Sequence, residues 1–226
     1  MNAPVPTADL SARNGQSHVV GDTGPDLWVE PIPVAMKRTV AAFPDQEAAV
    51  FVEQGVRYTW AEIDRETDAL AAGFLKLGIK KGDRLGIWAP NRYEWLLTQL
   101  ATARVGIVLT TINPAYRLAE VEYVLNKVGA KALVTAASFK TSDYLGMVQT
   151  LAPELETCEP GNLQAEKLPD LRAVIRVGAE KTAGMLNFDD VLESGRATPA
   201  SELDAITATL DANDAINIQF TSGTTG

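Results

Sequence analysis

The residues best suited to chemistry in this 226-residue chain are its last six. They combine four hydroxyl side chains with two glycines: Thr221, Ser222, Gly223, Thr224, Thr225 and Gly226. Glycines let backbone N–H groups converge on an anion, and hydroxyls supply further donors, so such a segment can cradle a triphosphate or a pyrophosphate. The alternative is an ordinary polar turn, because the segment matches neither the Walker-type pattern with its lysine nor the dinucleotide fingerprint G-x-G-x-x-G.

Histidine and cysteine are too scarce in this chain to support most of their usual chemistry. His18 is the single histidine and lies in the segment 1–29, which is rich in Pro, Gly, Ser, Asn and Asp and predicts a flexible tail. A Ser-His-Asp triad or a His-ligated metal would need a histidine on the folded body. Cys158 is the single cysteine, and we interpret it as a loop residue because Glu156 and Glu159 beside it would not stabilise a thiolate.

The charge balance argues against partners that are recognised through their phosphate backbone. The chain has 20 Lys+Arg and 29 Asp+Glu, a formal net charge of -9, whereas nucleic acids and anionic membranes attract clustered basic residues. No stretch approaches the roughly 20 apolar residues that span a bilayer. The N-terminus lacks a secretory signal, and Asp9 precedes its first basic residue, unlike a mitochondrial transit peptide, which favours a cytoplasmic location.

The hydrophobic pattern from Ala48 onward alternates short strands with amphipathic helices. Two strands in a hairpin, 48–52 and 56–59, precede a helix that opens with a capping box of Thr59 and Glu62 and stops at Gly78. Further strands are predicted at 84–89, 107–109, 132–134, 170–175 and 215–220. Further helices are predicted from a cap at Asn91 to about Val105, and at 118–128, 144–151, 188–194 and 201–210.

Three predicted helix ends share one sequence motif: a basic residue, then an apolar residue, then a glycine (Gly78, Gly106 or Gly129). The cation complements the negative end of the helix dipole, and the glycine can adopt the left-handed conformation that turns the chain into a strand. Strands that alternate with helices in this way indicate right-handed crossovers. The predicted fold class is therefore α/β, with parallel-sheet layers and helices on their faces.

The last predicted strand delivers the hydroxyl-rich segment to an edge of the sheet. Ile216, Ile218 and Phe220 share one of its faces, and polar residues, including Asn217 and Gln219, occupy the other.

Other conspicuous side chains have structural interpretations. Trp88, Tyr93 and Trp95 could form a ligand-stacking cluster, but aromatic residues at strand and helix positions more often belong to the core. Asp189 and Asp190 are typical of a helix start rather than of metal ligands. We therefore assign no catalytic residue and no metal ligand.

Several segments resemble, in order, the N-terminal region of the adenylate-forming (AMP-binding) superfamily, which includes acyl-CoA synthetases, luciferases and the adenylation domains of peptide synthetases. The loop 221–226 is similar to the start of the phosphate-loop signature of that superfamily. Further matches are 58–62 (YTWAE), 82–84 (GDR), 90–91 (PN) and 112–117 (INPAYR). The segments 113–114, 139–144 and 168–172 favour the fatty-acyl branch and resemble acyl-CoA synthetase family member two.

The resemblance implies an enzyme that joins a carboxylic acid to ATP, releases pyrophosphate and transfers the acyl group from AMP to the thiol of coenzyme A. It implies small-molecule substrates, namely a medium- to long-chain fatty acid, ATP and coenzyme A, with Mg²⁺ beside the β and γ phosphates that residues 221–226 would hold. Family members continue past this loop with Pro-Lys, the adenine- and ribose-binding motifs and a C-terminal domain. Residues 30–226 thus resemble a truncated N-terminal part of an AMP-binding domain, preceded by the tail 1–29.

Two other functions stay open from the sequence. One is a truncated domain that binds a ligand or a partner without turnover. The other is an adenylation domain that loads a carrier protein instead of coenzyme A. The oligomeric state is not indicated by any feature of the sequence.

Overall fold

A computed structural model of the chain describes Gly15 and residues 29–221. The predicted tail 1–29 therefore lies almost wholly outside the described residues, and His18 lies outside them too. The strands are β1 (Glu47–Phe51), β2 (Val56–Thr59), β3 (Arg84–Trp88), β4 (Val108–Thr111), β5 (Ala130–Thr135), β6 (Ser138–Phe139), β7 (Ser142–Asp143), β8 (Ala173–Arg176), β9 (Leu186–Asn187) and β10 (Asn217–Gln219). The α-helices are α1 (Ile32–Ala42), α2 (Trp60–Lys76), α3 (Tyr93–Val105), α4 (Leu118–Val128), α5 (Tyr144–Leu151), α6 (Phe188–Gly195) and α7 (Ala200–Thr207).

A six-stranded sheet with the order β10-β4-β3-β5-β8-β9 forms the centre, and every neighbouring pair in it is parallel. The chain moves from β3 to β4 through α3 and then returns across β3 to β5 through α4. Because such crossovers are right-handed, α3 and α4 lie on opposite faces of the sheet. Helices α1, α2 and α7 pack with α3, α6 packs on α2, and α5 packs with α4. The predicted α/β class is confirmed.

The local signals in the sequence are found where they were predicted. Strands β1 and β2 form an antiparallel hairpin. The Thr59 hydroxyl accepts the Glu62 N–H at 3.3 Å, and the Glu62 carboxylate accepts the Thr59 N–H at 2.8 Å, which completes the capping box. Gly78, Gly106 and Gly129 adopt positive φ angles of 81°, 70° and 61° at the ends of their helices. The remaining predicted elements are present with end points displaced by a few residues.

The start of α3 differs from the prediction. Asn91 does not cap this helix, which begins at Tyr93 after the N-cap residue Arg92, whose side chain makes no capping hydrogen bond. Instead, Gln54 Oε1 accepts the N–H of Tyr93 at 2.9 Å, and Gln54 Nε2 donates to Glu94 at 3.0 Å. Gln54 lies in the turn of the β1–β2 hairpin, so a side chain that is remote in sequence satisfies the helix end.

Helix α1 is absent from the sequence-based prediction. It buries only Pro33 and Met36, too few positions to produce a clear periodic pattern. Tertiary contacts hold it, because Lys37 Nζ lies 2.7 Å from a carboxylate oxygen of Asp64 and 2.9 Å from one of Asp68, both on α2.

Helices α2 and α6 approach each other so closely that their backbones touch. A Cβ atom added to Gly195 would lie 1.9 Å from the carbonyl oxygen of Ala69, and one added to Gly73 would lie 2.2 Å from that of Val191. Real Cβ atoms do not approach a backbone oxygen this closely. Glycine at these two positions therefore sets the distance between the two helices.

We expect Gly195→Ala to destabilise the protein by about 1–3 kcal/mol, because the added methyl group must push α6 away from α2. Alanine in a helix is intrinsically favoured over glycine by up to about 1 kcal/mol, so a loss cannot come from helix propensity. Urea unfolding measures the difference, with Glu193→Ala on the exposed side of α6 as the control. Equal or higher stability of Gly195→Ala would contradict the close approach.

Candidate functional site

Strand β10 reaches the carboxyl edge of the sheet, and its residues alternate between two faces as predicted. On one face, Asn217 Nδ2 donates to Gln99 Oε1 of α3 at 3.2 Å. On the other face, the Phe220 ring packs edge-on against Tyr123 of α4, with ring centroids 6.2 Å apart. The alternation of the strand therefore places it between the two helix layers.

Thr221 follows directly after Phe220 and is the one predicted site residue among the described residues. The other five lie outside the described residues: Ser222, Gly223, Thr224, Thr225 and Gly226. The phosphate-binding role of the six residues stays a prediction. The structure shows where this segment begins. It begins at the carboxyl end of a parallel strand, the edge at which ligands of open α/β sheets bind.

The loop that follows the neighbouring strand β4 is tightly held. Asn113 Oδ1 accepts the N–H of Ala115 at 2.9 Å, and its carbonyl accepts the N–H of Tyr116 at 3.0 Å. The Tyr144 hydroxyl donates to the carbonyl of Pro114 at 2.6 Å. This loop, which contains the Asn-Pro pair noted in the sequence, is thus a fixed wall beside the end of β10.

Trp88 and Tyr144 fill the middle of the carboxyl edge. Their rings stack with centroids 3.7 Å apart and an interplanar angle of 16°, and both residues are fully buried. Trp88 ends β3, next to β5, where the winding of the sheet reverses and doubly wound sheets commonly hold their ligand. The core interpretation of Trp88 is confirmed, and Tyr93 and Trp95 are partly buried against the same core. Open space for a ligand must therefore lie elsewhere along this edge.

That open space is a groove between α4 and the end of β10, with a volume of about 760 Å³. Its lining includes Tyr116, Glu120, Tyr123, Lys127, Phe220 and Thr221. Tyr123 is 58% exposed, an unusual state for an aromatic side chain next to a sheet. Sequence reasoning missed this groove, although Tyr116 belongs to a matched segment and Tyr123 stands outside the apolar stripe of its helix.

Arg104 and Arg84 are both held by contacts within the fold. Arg104 is 2% exposed and lies 2.7 Å from Asp68 and 2.6 Å from Asp204, which ties α3 to α2 and α7. Arg84 donates to the carbonyls of Val128 and Gly129 at 2.5 and 3.1 Å and so caps the end of α4.

The position of Asp189 and Asp190 in a helix start and the surroundings of Cys158 agree with their structural interpretations. Asp189 and Asp190 lie in the first turn of α6. Residues 29–221 contain no group of three or more His, Cys, Asp or Glu side chains that could hold a metal ion. Burial raises the pKa of the Cys158 thiol, and the charge of Glu159 adds to the effect, so a reactive thiolate is disfavoured.

The comparisons identify the family. A family model described as "AMP-binding enzyme" matches residues 36–226, and the chain belongs to that family. The mitochondrial medium-chain acyl-CoA ligase ACSF2 of zebrafish (Danio rerio) is 43% identical over 210 residues, which cover 93% of this chain and 34% of the ligase. Its human counterpart is 44% identical over 213 residues, covering 94% of this chain and 34% of that protein. A putative acyl-CoA synthetase, YngI of Bacillus subtilis, is 38% identical over 191 residues, with 84% and 35% covered.

Solved structures show the same fold at low sequence identity. The anthranilate CoA ligase AuaEII has a TM-score of 0.67 at 19% identity, with 88% of this chain and 33% of the other covered. The N-terminal domain of FACL13 from Mycobacterium tuberculosis has a TM-score of 0.67 at 21% identity, with 85% and 42% covered. The chain spans about a third of the length of the curated relatives it matches.

The expected cytoplasmic location is wrong by these comparisons. Seven of the similar ligases are named as mitochondrial. The expectation rested on the acidic residue and missing basic pattern near the N-terminus, which is weak evidence because targeting segments differ widely in sequence. Within the described ranges, none of the helices combines the length and apolarity that crossing a membrane requires.

We expect Tyr144→Phe to lose about 1 kcal/mol of unfolding free energy, because it removes the hydroxyl that donates to Pro114 and keeps the ring on Trp88. Burial raises the pKa of Tyr144 to about 12 from 10.0. Since the folded pKa exceeds the unfolded one, the stabilisation is complete below pH 10 and is lost as the pH rises towards 12. The two proteins should therefore converge in stability over that range.

Urea unfolding at several pH values, with tyrosinate absorbance followed in parallel, tests this expectation. Tyr123→Phe is the matched control, since it removes a hydroxyl from an exposed tyrosine and should leave the stability unchanged. A constant difference between wild type and Tyr144→Phe up to the highest pH would contradict the assignment.

Proposed function

We propose that this chain supplies the phosphate-binding part of an AMP-forming acyl-CoA ligase. The reaction joins a fatty carboxylate to ATP with release of pyrophosphate, and then transfers the acyl group from AMP to the thiol of coenzyme A. The observation that carries the proposal is the family match together with the hydroxyl- and glycine-rich sequence 221–226, which directly follows a parallel strand. In this proposal residues 30–226 are the N-terminal part of the adenylate-forming domain, incomplete at its C-terminal end.

The proposed role of residues 221–226 is to hold the β and γ phosphates. Backbone N–H groups at the glycines and the four hydroxyls would donate to phosphate oxygens and stabilise the charge that develops on the leaving pyrophosphate. Attack of the carboxylate at the α-phosphorus breaks the bond to pyrophosphate, and catalysis of such a step depends mainly on positioning. The loop Asn113–Tyr116, which follows the neighbouring strand β4, supports this role, since its own hydrogen bonds hold it in place at the edge of the sheet where residues 221–226 begin.

The described residues fit a Mg²⁺ ion that arrives with the nucleotide better than one held by the protein alone. They contain no cluster of acidic side chains able to bind a metal. Mg²⁺ commonly combines one or two protein ligands with substrate phosphates and waters. The residues proposed to meet it here are the hydroxyls of the phosphate loop, and the ion would neutralise charge on the phosphates.

The proposed acyl substrate is a medium-chain fatty acid. Relatives that are 42–45% identical carry the name medium-chain acyl-CoA ligase. The sequence resemblance allowed medium to long chains, and these names favour the shorter part of that range. Coenzyme A is proposed as the acyl acceptor for the same reason.

We expect the 226-residue chain alone to form no acyl-adenylate, because the ligases it resembles are about three times as long. The assay is ATP-dependent formation of octanoyl hydroxamate from octanoate and hydroxylamine, with the zebrafish ligase as the positive control. Hydroxamate formed by the purified chain in proportion to its concentration would contradict this expectation.

A ligase chimera, in which this chain is followed by the part of the zebrafish ligase beyond its matched segment, tests the site directly. We expect Thr224→Val in the chimera to lower kcat/KM for ATP in octanoate-dependent ATP–pyrophosphate exchange by about 10²-fold, the usual effect of losing one donor to developing charge. Thr224→Ser keeps the hydroxyl and should retain most of the activity. Thioester formation with coenzyme A separates the ligase from an adenylation domain that loads a carrier protein.

An active chimera in which Thr224→Val is as fast as wild type would remove the proposed role of that hydroxyl. Exchange activity that yields no octanoyl-CoA would favour the carrier-protein alternative. An inactive chimera that folds and binds ATP would favour a binding domain without turnover.

A further inference from the structure

Arg176 is a buried charged side chain that the proposed reaction does not use. It ends β8 at the carboxyl edge of the central sheet and is only 4% exposed. Its Nη1 donates to Thr182 Oγ1 at 3.0 Å, and its Nη2 donates to Glu180 Oε2 at 3.2 Å. Its Nε is buried as well, and none of the described residues accepts a hydrogen bond from it. A buried N–H without an acceptor is rare in folded proteins and calls for an explanation.

Arg104 shows how this fold holds a buried arginine whose role is structural. Its Nε lies 2.7 Å from a carboxylate oxygen of Asp68, and its Nη2 lies 2.6 Å from one of Asp204. Both nitrogen atoms on the Nε side of that guanidinium therefore face a carboxylate. Arg176 differs, because its one carboxylate partner is Glu180, whose side chain is 87% exposed. Ion pairs with so exposed a partner contribute little to stability.

The Nε side of Arg176 has the geometry of a half-filled anion site. The Nε–H and one Nη2–H of a guanidinium point in parallel and can bind two oxygen atoms of one carboxylate or phosphate. Here one oxygen of Glu180 contacts Nη2, and the Nε–H beside it has no acceptor within residues 29–221. Because the exposed Glu180 carboxylate reaches Nη2 from the solvent side, an anion can approach Arg176 along the same path.

The loop that carries Glu180 is held by its backbone and not only by the ion pair. Asn187 Nδ2 donates to the carbonyl oxygens of Gly178 and Glu180 at 2.6 and 2.8 Å. Asn187 is 4% exposed and is in register with Arg176 on the neighbouring strand β9. The Glu180 side chain can therefore leave Arg176 while the backbone of its loop stays in place.

We propose that Arg176 is the binding site of a small oxyanion, a carboxylate or a phosphate group, and that the Glu180 side chain is an internal competitor for it. The anion receives hydrogen bonds from Nε and Nη2 together, and the Glu180 carboxylate turns to solvent. Strands β4, β3 and β5 separate β8 from β10, so this site is distinct from the proposed phosphate-binding segment.

Asn187 Oδ1 offers the competing explanation for the unpaired Nε. This oxygen is also buried, and none of the described residues donates a hydrogen bond to it. A contact between Arg176 Nε and Asn187 Oδ1, either direct or through one water, would satisfy both groups within the fold. The two explanations differ in one respect, because only the anion site responds to added anions.

NMR of the ¹⁵N-labelled arginine side chains tests the proposal on the 226-residue chain and on the ligase chimera. The probes are acetate and inorganic phosphate, with chloride at matched ionic strength as the control. We expect the Nε–H signal of Arg176 to shift in a saturable way with at least one probe, and the signal of Arg104 to stay unchanged. A shift with acetate alone assigns the site to carboxylates, and a shift with phosphate alone assigns it to phosphate groups. An unchanged Arg176 signal, or an equal response to chloride, overturns the proposal.

Three substitutions separate binding at Arg176 from screening of surface charge. Glu180→Ala removes the competing carboxylate, and we expect it to tighten binding about 3-fold, the effect of losing an exposed ion pair. Arg176→Lys keeps the charge without the parallel N–H groups, and we expect binding, followed at the backbone amides of residues 178–184, to weaken about 10-fold. Glu193→Ala removes an exposed carboxylate on α6 and is the matched control, which should leave binding unchanged.

Two further results would also contradict an anion site. One is equal affinity of the wild type, Glu180→Ala and Arg176→Lys for both probes. The other is an Arg176 Nε–H that exchanges with solvent as slowly as that of Arg104 and does not shift, which would assign Nε to Asn187. Because none of these measurements uses ATP or a fatty acid, their outcome is independent of the proposed ligase reaction.

Discussion

Parallel pairing of six strands is the constraint on which the rest of this structure depends. Parallel neighbours cannot be joined by a tight turn, so each connection must carry the chain back along the sheet, and helices do this while covering the faces. Gly106 and Gly129 stop two of these helices and redirect the chain towards the sheet, and Gly78 does the same for α2, which leads from the hairpin into β3. As a result, all six strands of the sheet end at the same edge, and loops that are far apart in sequence meet there.

Packed side chains fill the centre of that shared edge, and a groove is open at the end of β10. The stacked rings of Trp88 and Tyr144 close its centre, where the winding reverses, and the Tyr144 hydroxyl fixes the loop after β4. The open groove lies at the end of β10 instead, beside the root of the hydroxyl-rich loop. The packed centre therefore leaves the space at the end of β10 as the open part of this edge.

The helix layer on the α3 side is held by two different interactions. Backbone contact at Gly73 and Gly195 sets the spacing of α2 and α6. Buried Arg104 pairs with Asp68 of α2 and with Asp204 of α7, and so joins α3 to both helices. These contacts hold α2, α3, α6 and α7 together without any contribution from β10.

Features that depend on local backbone geometry were determined by the sequence alone. The capping box of Thr59 and Glu62, the left-handed glycines and the alternation in β10 are of this kind. The α/β class followed from them, and the hydroxyl-rich loop was found by its composition, although Thr221 is its one member within the described residues. Only the tertiary structure decided that Gln54 caps α3, that Trp88 stacks on Tyr144 and that a groove opens beside Tyr123. These contacts join residues distant along the chain, and their geometry follows from the order of the strands, which no local pattern encodes.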